Sequence, residues 1–363
     1  MNEPTQRAGP ALSQGGFLLA LILPSTFLGF LVTAPHSPWE ALAFLGPLAV
    51  LIGLDLSPRL DWCGTPTPFG AALAQGVLVV VGCLAPVIVI ALCQAIQRVS
   101  LDSAADLMSL LTDFVVLRLL GGAYLCCSVI APAHELLHRS QPLQRALSRG
   151  LLLLVFADPF WLSHGPAHHR CLGQAGDPSS AGIDEDYEVF FRRSLKAQWQ
   201  FAARRFPFGF ALGLGIELAL LATAGLIFGW LAALIWLWLA WLAQRLLEAV
   251  NYFQHFGLST GQKSGPSRGR AWGWDGAVSY FLFFGLTRHQ DHHRRPWLSF
   301  HALEADRDVP GLPLGYLGTA IWVKNHSRSF RRWAQGRLHP EVSAARQKTH
   351  SSGAWLRFKQ FID

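Results

Sequence analysis

Nine of the chain's fourteen histidines crowd into four short stretches, and their spacing is that of metal ligands. The first stretch is His134-Glu-Leu-Leu-His138 and the second His164-Gly-Pro-Ala-His168-His169. The third holds a single histidine, in Asn251-Tyr-Phe-Gln-His255, and the fourth is His289-Gln-Asp-His292-His293. Histidines three or four residues apart share one helix face, so two imidazoles can reach one ion. Pro166 works against a regular helix in the second stretch. One such stretch alone would read as a helix cap or a satisfied core histidine. Four together, all near the ends of apolar runs, read as a metal site. Imidazole suits zinc, copper, iron and nickel. A tetrahedral zinc takes four ligands, or three and a water, so nine nitrogens are too many for one such ion. Two ions with four or five imidazoles each use all nine and leave open positions for oxygen chemistry. Two non-haem irons are the expected cofactor. His36, His301, His326, His339 and His350 stand alone and are expected to be ordinary surface histidines.

Positioning these groups falls to long apolar helices. Apolar residues make up 51% of the chain and charged residues 15%, against about 25% charged in a soluble protein. That leaves too little polar surface for a soluble globule, and it excludes disordered, collagen-like and small disulfide-stapled classes. The six cysteines, at 63, 83, 93, 126, 127 and 171, form no CxxC pair and read as small buried hydrophobes. A spanning helix needs about 20 mostly apolar residues. Residues 15–34 (with a kink at Pro24), 39–54, 69–96 and 110–133 read as spans, the short second one pairing with the first as a hairpin. The stretch 208–243 is too long for one helix and is expected to break near 225–229. Its second half is lined by Trp230, Trp236, Trp238 and Trp241. The expected fold class is all-α integral membrane: six transmembrane helices with a cytosolic His-rich di-iron region. Two shorter apolar runs, 151–156 and 278–286, are expected at the membrane interface.

Charge sets the orientation. Of 30 Lys and Arg, 26 fall in residues 134–206 or from 244 onward, which places both segments in the cytoplasm. Two spans separate them, as a shared side requires. The organisation is then a cytosolic segment 1–14, four transmembrane helices in 15–133, and a cytosolic loop 134–206 with the first two histidine stretches. Helices five and six follow in 207–248, and a cytosolic region 249–363 carries the rest. Residues 15–34 lack the basic flank of a signal peptide and lead into further spans. The basic tail reads as positive-inside bias and attraction to anionic lipid. No nucleic-acid motif accompanies it. Gly213-Leu-Gly215 lies inside an apolar run with no preceding strand, so it is no dinucleotide loop.

The quoted stretches, extended, carry a family resemblance. They are His134 to Arg139, His164 to His169, Asp177-Pro-Ser-Ser180, Asn251-Tyr-Phe-Gln-His-Phe-Gly-Leu258, Leu286-Thr-Arg-His-Gln-Asp-His-His293 and Pro310-Gly-Leu-Pro-Leu-Gly-Tyr316. Here the chain resembles the integral-membrane di-iron hydroxylases of the fatty acid desaturase-like superfamily. Within them it is similar to the alkane 1-monooxygenases and the related xylene monooxygenase hydroxylase component. The resemblance implies hydroxylation of a terminal methyl C–H: RH, O2, two electrons and two protons give ROH and water. It carries the ligand role onto His134, His138, His164, His168, His169, His255, His289, His292 and His293. Glu135, Asp177, Glu248 and Asp291 are candidates to orient those rings. Two positions depart from the alkane pattern: Ser163 and Gln254 stand where alkane hydroxylases often have Glu, and Phe253-Gln254 looks like the xylene branch.

The chemistry fits the resemblance, because an unactivated methyl has no acidic proton and no leaving group. Metal-activated oxygen can open it; acid–base catalysis cannot. Hydrophobic substrate would enter from the bilayer between helices. The expected reaction is n-alkane to 1-alkanol, with aromatic side-chain methyl oxidation or fatty acyl desaturation or hydroxylation as alternatives. No cysteine follows Cys171 and no haem, flavin or nicotinamide motif occurs, so the implied donor is a rubredoxin or ferredoxin with its reductase. An acidic carrier would be steered to the basic face. The expected location is a bacterial inner membrane, with both termini and the site cytoplasmic. His134-Glu-Leu-Leu-His138 also fits an intramembrane zinc protease with Glu135 as base, but that reading leaves the other clustered histidines without a purpose. A metal transporter would place its ligands within the spans.

Overall fold

The structure, a computed structural model, describes residues 15–56, 66–99, 103–258, 271–306 and 308–338. Six helices among these residues are long and apolar enough to cross a membrane. They are α1 (Gly16–Thr33), α2 (Pro38–Asp55), α3 (Pro68–Gln97), α4 (Asp106–Leu137), and, after an intervening segment, a second pair. That segment holds α5 (Pro142–Leu154), α6 (Asp158–Ser163) and α7 (Tyr187–Arg205). The pair is α8 (Pro207–Phe228) and α9 (Trp230–His255). Short α10 (Ala277–Leu282) and α11 (His289–Arg294) and the longer α12 (Tyr316–Leu338) complete the order. The described residues form no strand, only an isolated bridge between Gly273 and Gly311. The chain is an all-α, multi-pass membrane protein.

Local chemistry sets the helix ends. Ser37 and Glu40 form a capping box ahead of α2, with Pro38 at the first helical position. Thr67 caps α3 by accepting the Gly70 N–H at 3.3 Å. Gly229 divides α8 from α9 at φ +91°, a conformation that glycine adopts without strain, and it stands at the expected break. The first six residues of α1 wind as a tight 3-10 segment, and α-helical geometry begins at Ile22, so Pro24 sits in the first α-turn. Large apolar side chains such as Trp39, Phe69, Phe208 and Leu226 point outward from the spans, as lipid requires.

Two spans run further than their apolar windows suggest. The run 110–133 becomes a helix ending at Leu137, which carries His134 and Glu135 inside it. The run ending at 243 continues to His255, carrying Glu248 and Asn251 with it. Hydropathy falls at the first polar residues, but backbone hydrogen bonding does not, and these polar residues are buried against protein. Within α4, wide π-type turns at Leu117–Gly121 and Leu125–Ile130 each add a residue. Each extra residue turns the following face by about 100°.

Three further expectations change. Residues 278–286 are buried inside the protein, with Phe281 at 0% exposure, rather than lying along an interface. The run 151–156 is the largely buried end of α5 and the turn after it. His36 is not a surface histidine: its Nδ1 lies 3.1 Å from Asp113 Oδ1 and its Nε2 3.0 Å from Thr33 Oγ1. The reason is Asp113, a carboxylate inside a span, which needs a polar partner. His326 is exposed and His301 half-buried. His339, His350, Cys63 and the segment 1–14 lie outside the described residues.

At the histidine end, Arg149 of α5 grips Asp158 of α6 with two bonds of 2.7 and 2.9 Å and reaches the Gly209 carbonyl of α8 at 2.8 Å. Gly213 makes room for this, since a Cβ there would stand 1.9 Å from Asp158 Oδ2. Removing Arg149 would strand the buried Asp158 carboxylate, at about 3–5 kcal/mol, whereas the partly exposed Arg149 would keep some water if Asp158 were lost. The latch fixes the segment that leads into the second histidine stretch.

Candidate metal centre

Helix ends deliver the nine histidines to one place. His134 and His138 come from the end of α4, and His255 is the last residue of α9. His289, His292 and His293 lie on α11. Residues His164–His169 form a π-type turn after α6. In such a turn residues five apart face the same way, which brings His164 Nε2 and His169 Nε2 to 3.0 Å. The expected irregularity at Pro166 is therefore what sorts the second stretch.

The nine rings divide into two groups, with one ring nitrogen of each member within 4.8 Å of the others in its group. One group is His134, His138, His164, His169 and His292; the other is His168, His255, His289 and His293. The groups abut, with the rings of His169 and His293 centred 4.4 Å apart. His289 Nε2 is 3.1 Å from His255 Nε2 and 3.0 Å from His293 Nε2. Nitrogens at right angles and about 2.1 Å from a common ion stand about 3.0 Å apart, so this spacing suits a metal. His134 Nε2, His138 Nε2, His168 Nε2 and His292 Nε2 are buried without any hydrogen-bond partner. A buried polar atom left unpaired is costly, and an ion would satisfy these.

Six of the rings are held in the neutral form, the form that binds metal. Burial first, then repulsion that would arise if it and His168 were both protonated, lowers His138 to about 3. Burial followed by mutual repulsion also lowers His164, His169, His289, His292 and His293.

The four carboxylates singled out by sequence behave differently. Asp177 touches a ring: its Oδ1 lies 2.9 Å from His168 Nδ1. It also accepts from the Gly173 and Ser179 amides and from the Ser180 hydroxyl. Burial alone would raise the Asp177 carboxyl, but His168 and Ser180 hold it down at about 2. With Nδ1 bound to Asp177, the other His168 nitrogen is free for a metal. Glu135 instead pairs with Arg139 and accepts the Phe300 amide at 3.1 Å. Asp291 pairs bidentately with Arg295 and accepts the Glu304 amide at 2.8 Å. Glu248 accepts from Ser194, Gln198 and Asn251. Glu135 and Asp291 thus pin the 299–304 loop to the two histidine helices. Sequence reasoning assigned no role to Arg139, quoted with the first stretch, or to Arg295, although each stands four residues after its acid. A carboxylate so engaged at Glu135 is not poised as a protease base.

A crevice between α4 and α9 opens onto the site. Cys126, Ile130, Leu247, Val250 and Phe283 give it mainly apolar walls, and His134, Asn251, Gln254 and His289 are its polar lining. Ser163, buried just ahead of the second stretch, leans its hydroxyl toward the Phe160 carbonyl at 3.4 Å.

Apolar spans gathered around paired histidine groups define a membrane protein with a polyhistidine metal centre. The Fatty acid desaturase family model matches residues 112–317, more than half the chain, and the chain belongs to that family. It is 30% identical over 211 residues to alkane 1-monooxygenase 1 of Pseudomonas aeruginosa, covering 53% of this chain and 55% of the relative. It is 26% identical over 204 residues to alkane 1-monooxygenase 1 of Alcanivorax borkumensis, covering 51% and 50%. It is also 23% identical over 201 residues to the xylene/toluene monooxygenase hydroxylase component of Pseudomonas putida, covering 50% and 53%. The chain spans about half the length of the curated relatives it matches.

Proposed function

We propose that the protein is an O2-dependent membrane monooxygenase that hydroxylates the terminal methyl of a hydrocarbon, an n-alkane giving a 1-alkanol. The observation that carries this is the pairing of two histidine groups with a mainly apolar crevice that His134 and His289 help to line. The nine histidines would hold two irons, which supply O2 activation when bound. The family match and the alkane 1-monooxygenase relatives support the chemistry. The chain's own part is geometric. Asp177 fixes the His168 ring, the mainly apolar walls of the crevice would favour an alkyl group over a polar one, and burial keeps bulk water away.

The balance is RH + O2 + two electrons + two protons to ROH + water. Electrons come from a rubredoxin or ferredoxin with its reductase, and the basic histidine-bearing side faces the cytoplasm of a bacterial inner membrane. Reporter fusions after residue 180 and near the C-terminus should both read cytoplasmic; a periplasmic reading for either would break this topology. The functional test is whole-cell conversion of n-alkanes, methylbenzenes and fatty acids with a rubredoxin and its reductase co-expressed. Terminal alkanols support the proposal. Benzylic alcohols alone would move the substrate to the xylene type, and unsaturated acyl products would sink the hydroxylase reading. Metal analysis should find about two irons per chain, against one zinc for a protease.

A further inference from the structure

Three of the four histidines in the smaller group come from two segments far apart in sequence, the end of α9 and the stretch 286–293. Nothing in regular helix geometry fixes one against the other. A buried polar network does. Gln254 Nε2, beside His255, donates to the Tyr316 hydroxyl at 2.8 Å and to the Leu286 carbonyl at 3.3 Å. The Tyr316 hydroxyl donates in turn to the same Leu286 carbonyl at 3.1 Å, closing a triangle. Leu286 lies three residues before His289. The Tyr316 ring is wedged between Phe253, at 5.0 Å, and Phe283, at 5.4 Å.

Tyr316 is itself tied to the membrane bundle. Its amide donates to the Ser279 hydroxyl at 2.8 Å, and that hydroxyl donates to Asp55 at the end of α2. Asp55 also accepts the Ser279 amide at 3.0 Å, and its carbonyl accepts the Gly315 amide at 3.1 Å. Tyr316, Ser279, Asp55 and Gln254 are all 2% exposed or less. Such a network is costly if half-satisfied and rigid when complete.

We propose that Gln254 and Tyr316 are positioning residues that set His255 against His289, with Ser279 and Asp55 anchoring them to the bundle. This rests on the metal reading given above. It also explains the departure at Gln254. A carboxylate there could not donate; the Tyr316 hydroxyl would turn toward it, and the Leu286 carbonyl would lose both donors.

The test compares the wild-type chain with Tyr316→Phe, Gln254→Glu and Ser279→Ala. Tyr316→Phe removes one oxygen from a ring that keeps its aromatic packing, so the fold survives. The expected result is that one of two metal ions leaves about tenfold faster or more under chelator challenge, while the other leaves at the wild-type rate. Amide exchange should quicken over 283–293 and stay unchanged over 131–138. Gln254→Glu and Ser279→Ala should act in the same direction. Two ions released at the wild-type rate with unaltered exchange in Tyr316→Phe would overturn the proposal. So would exchange that quickens uniformly along the chain, which marks general loosening. A wild-type protein holding no pair of ions would count against the metal reading, and the exchange contrast, which needs no metal, would still decide the clamp.

Discussion

The two histidine groups lie ring against ring, yet they are built by different means. The five-histidine group takes His134 and His138 from consecutive turns of one spanning helix, and His164 and His169 from one π-type turn. Local geometry places four of its five rings in pairs. The four-histidine group takes single residues from α9 and the π-type turn and a pair from α11, and relies on Asp177, Gln254 and Tyr316 to hold them. One group is set mainly by backbone, the other by tertiary hydrogen bonds. The second should therefore be the more easily disturbed by changes outside the ligands.

Loss of a ligand should give the largest effect, and in either group. His134→Ala and His255→Ala are each expected to lower hydroxylation by more than about a hundredfold and to cut iron content, because open-site chemistry depends on ligand number and geometry. His301→Ala, outside both groups, should change neither. A His255→Ala protein with full iron and activity would remove that residue from the site. Next in size is Asp177→Asn, expected to weaken metal binding about 10–100-fold and only in the four-histidine group. Equal weakening of both groups, measured by metal titration, would erase the contrast.

Acid should act on both groups, through His138 in one and His289 and His293 in the other. His138 is lowered from the ordinary 6.5 to about 3, so the folded chain refuses protons that the unfolded chain accepts. Stability from this source is present above about pH 6.5 and is lost as pH falls toward 3. Metal-free protein in detergent should therefore melt at a lower temperature at pH 5 than at pH 7.5; an unchanged or higher melting point would refute it. The smallest effect expected is that of Arg295→Ala, whose guanidinium is 37% exposed. It should slow turnover by no more than a few-fold, less than Arg139→Ala, whose guanidinium is 11% exposed and braces the five-histidine group through Glu135. The reverse order in steady-state rates would contradict the assignment.

Much of this was legible before any coordinates. Runs of apolar residues mark the spans, and Gly229 marks the division of α8 from α9. The histidine stretches show their spacing openly, because i and i+4 residues share a helix face. What stayed hidden depends on contacts without a sequence period. Nothing in the spacing of His168 and His169 tells that neighbours go to different groups; the π-type turn decides it. Glu248 and Asp177 look equally suitable as ring partners, yet only Asp177 reaches a ring within hydrogen-bond distance. Asp55 and Tyr316 lie 261 positions apart in the numbering and meet through Ser279. The burial of His36 follows from Asp113, a carboxylate 77 residues away.

Twice, at 168–169 and at 292–293, adjacent residues send one ring to each group. Their α-carbons are separated by a trans peptide, about 3.8 Å, a length no thermal motion of the helices can alter. Packed helices slide over one another by ångströms, and a centre shared between helices alone would breathe with them. Two covalent rungs across the boundary act instead as a gauge block. The separation of the two groups is thereby tied to the backbone at 168–169 and 292–293, and sliding of the helices changes it less than it would change a separation set between helices alone.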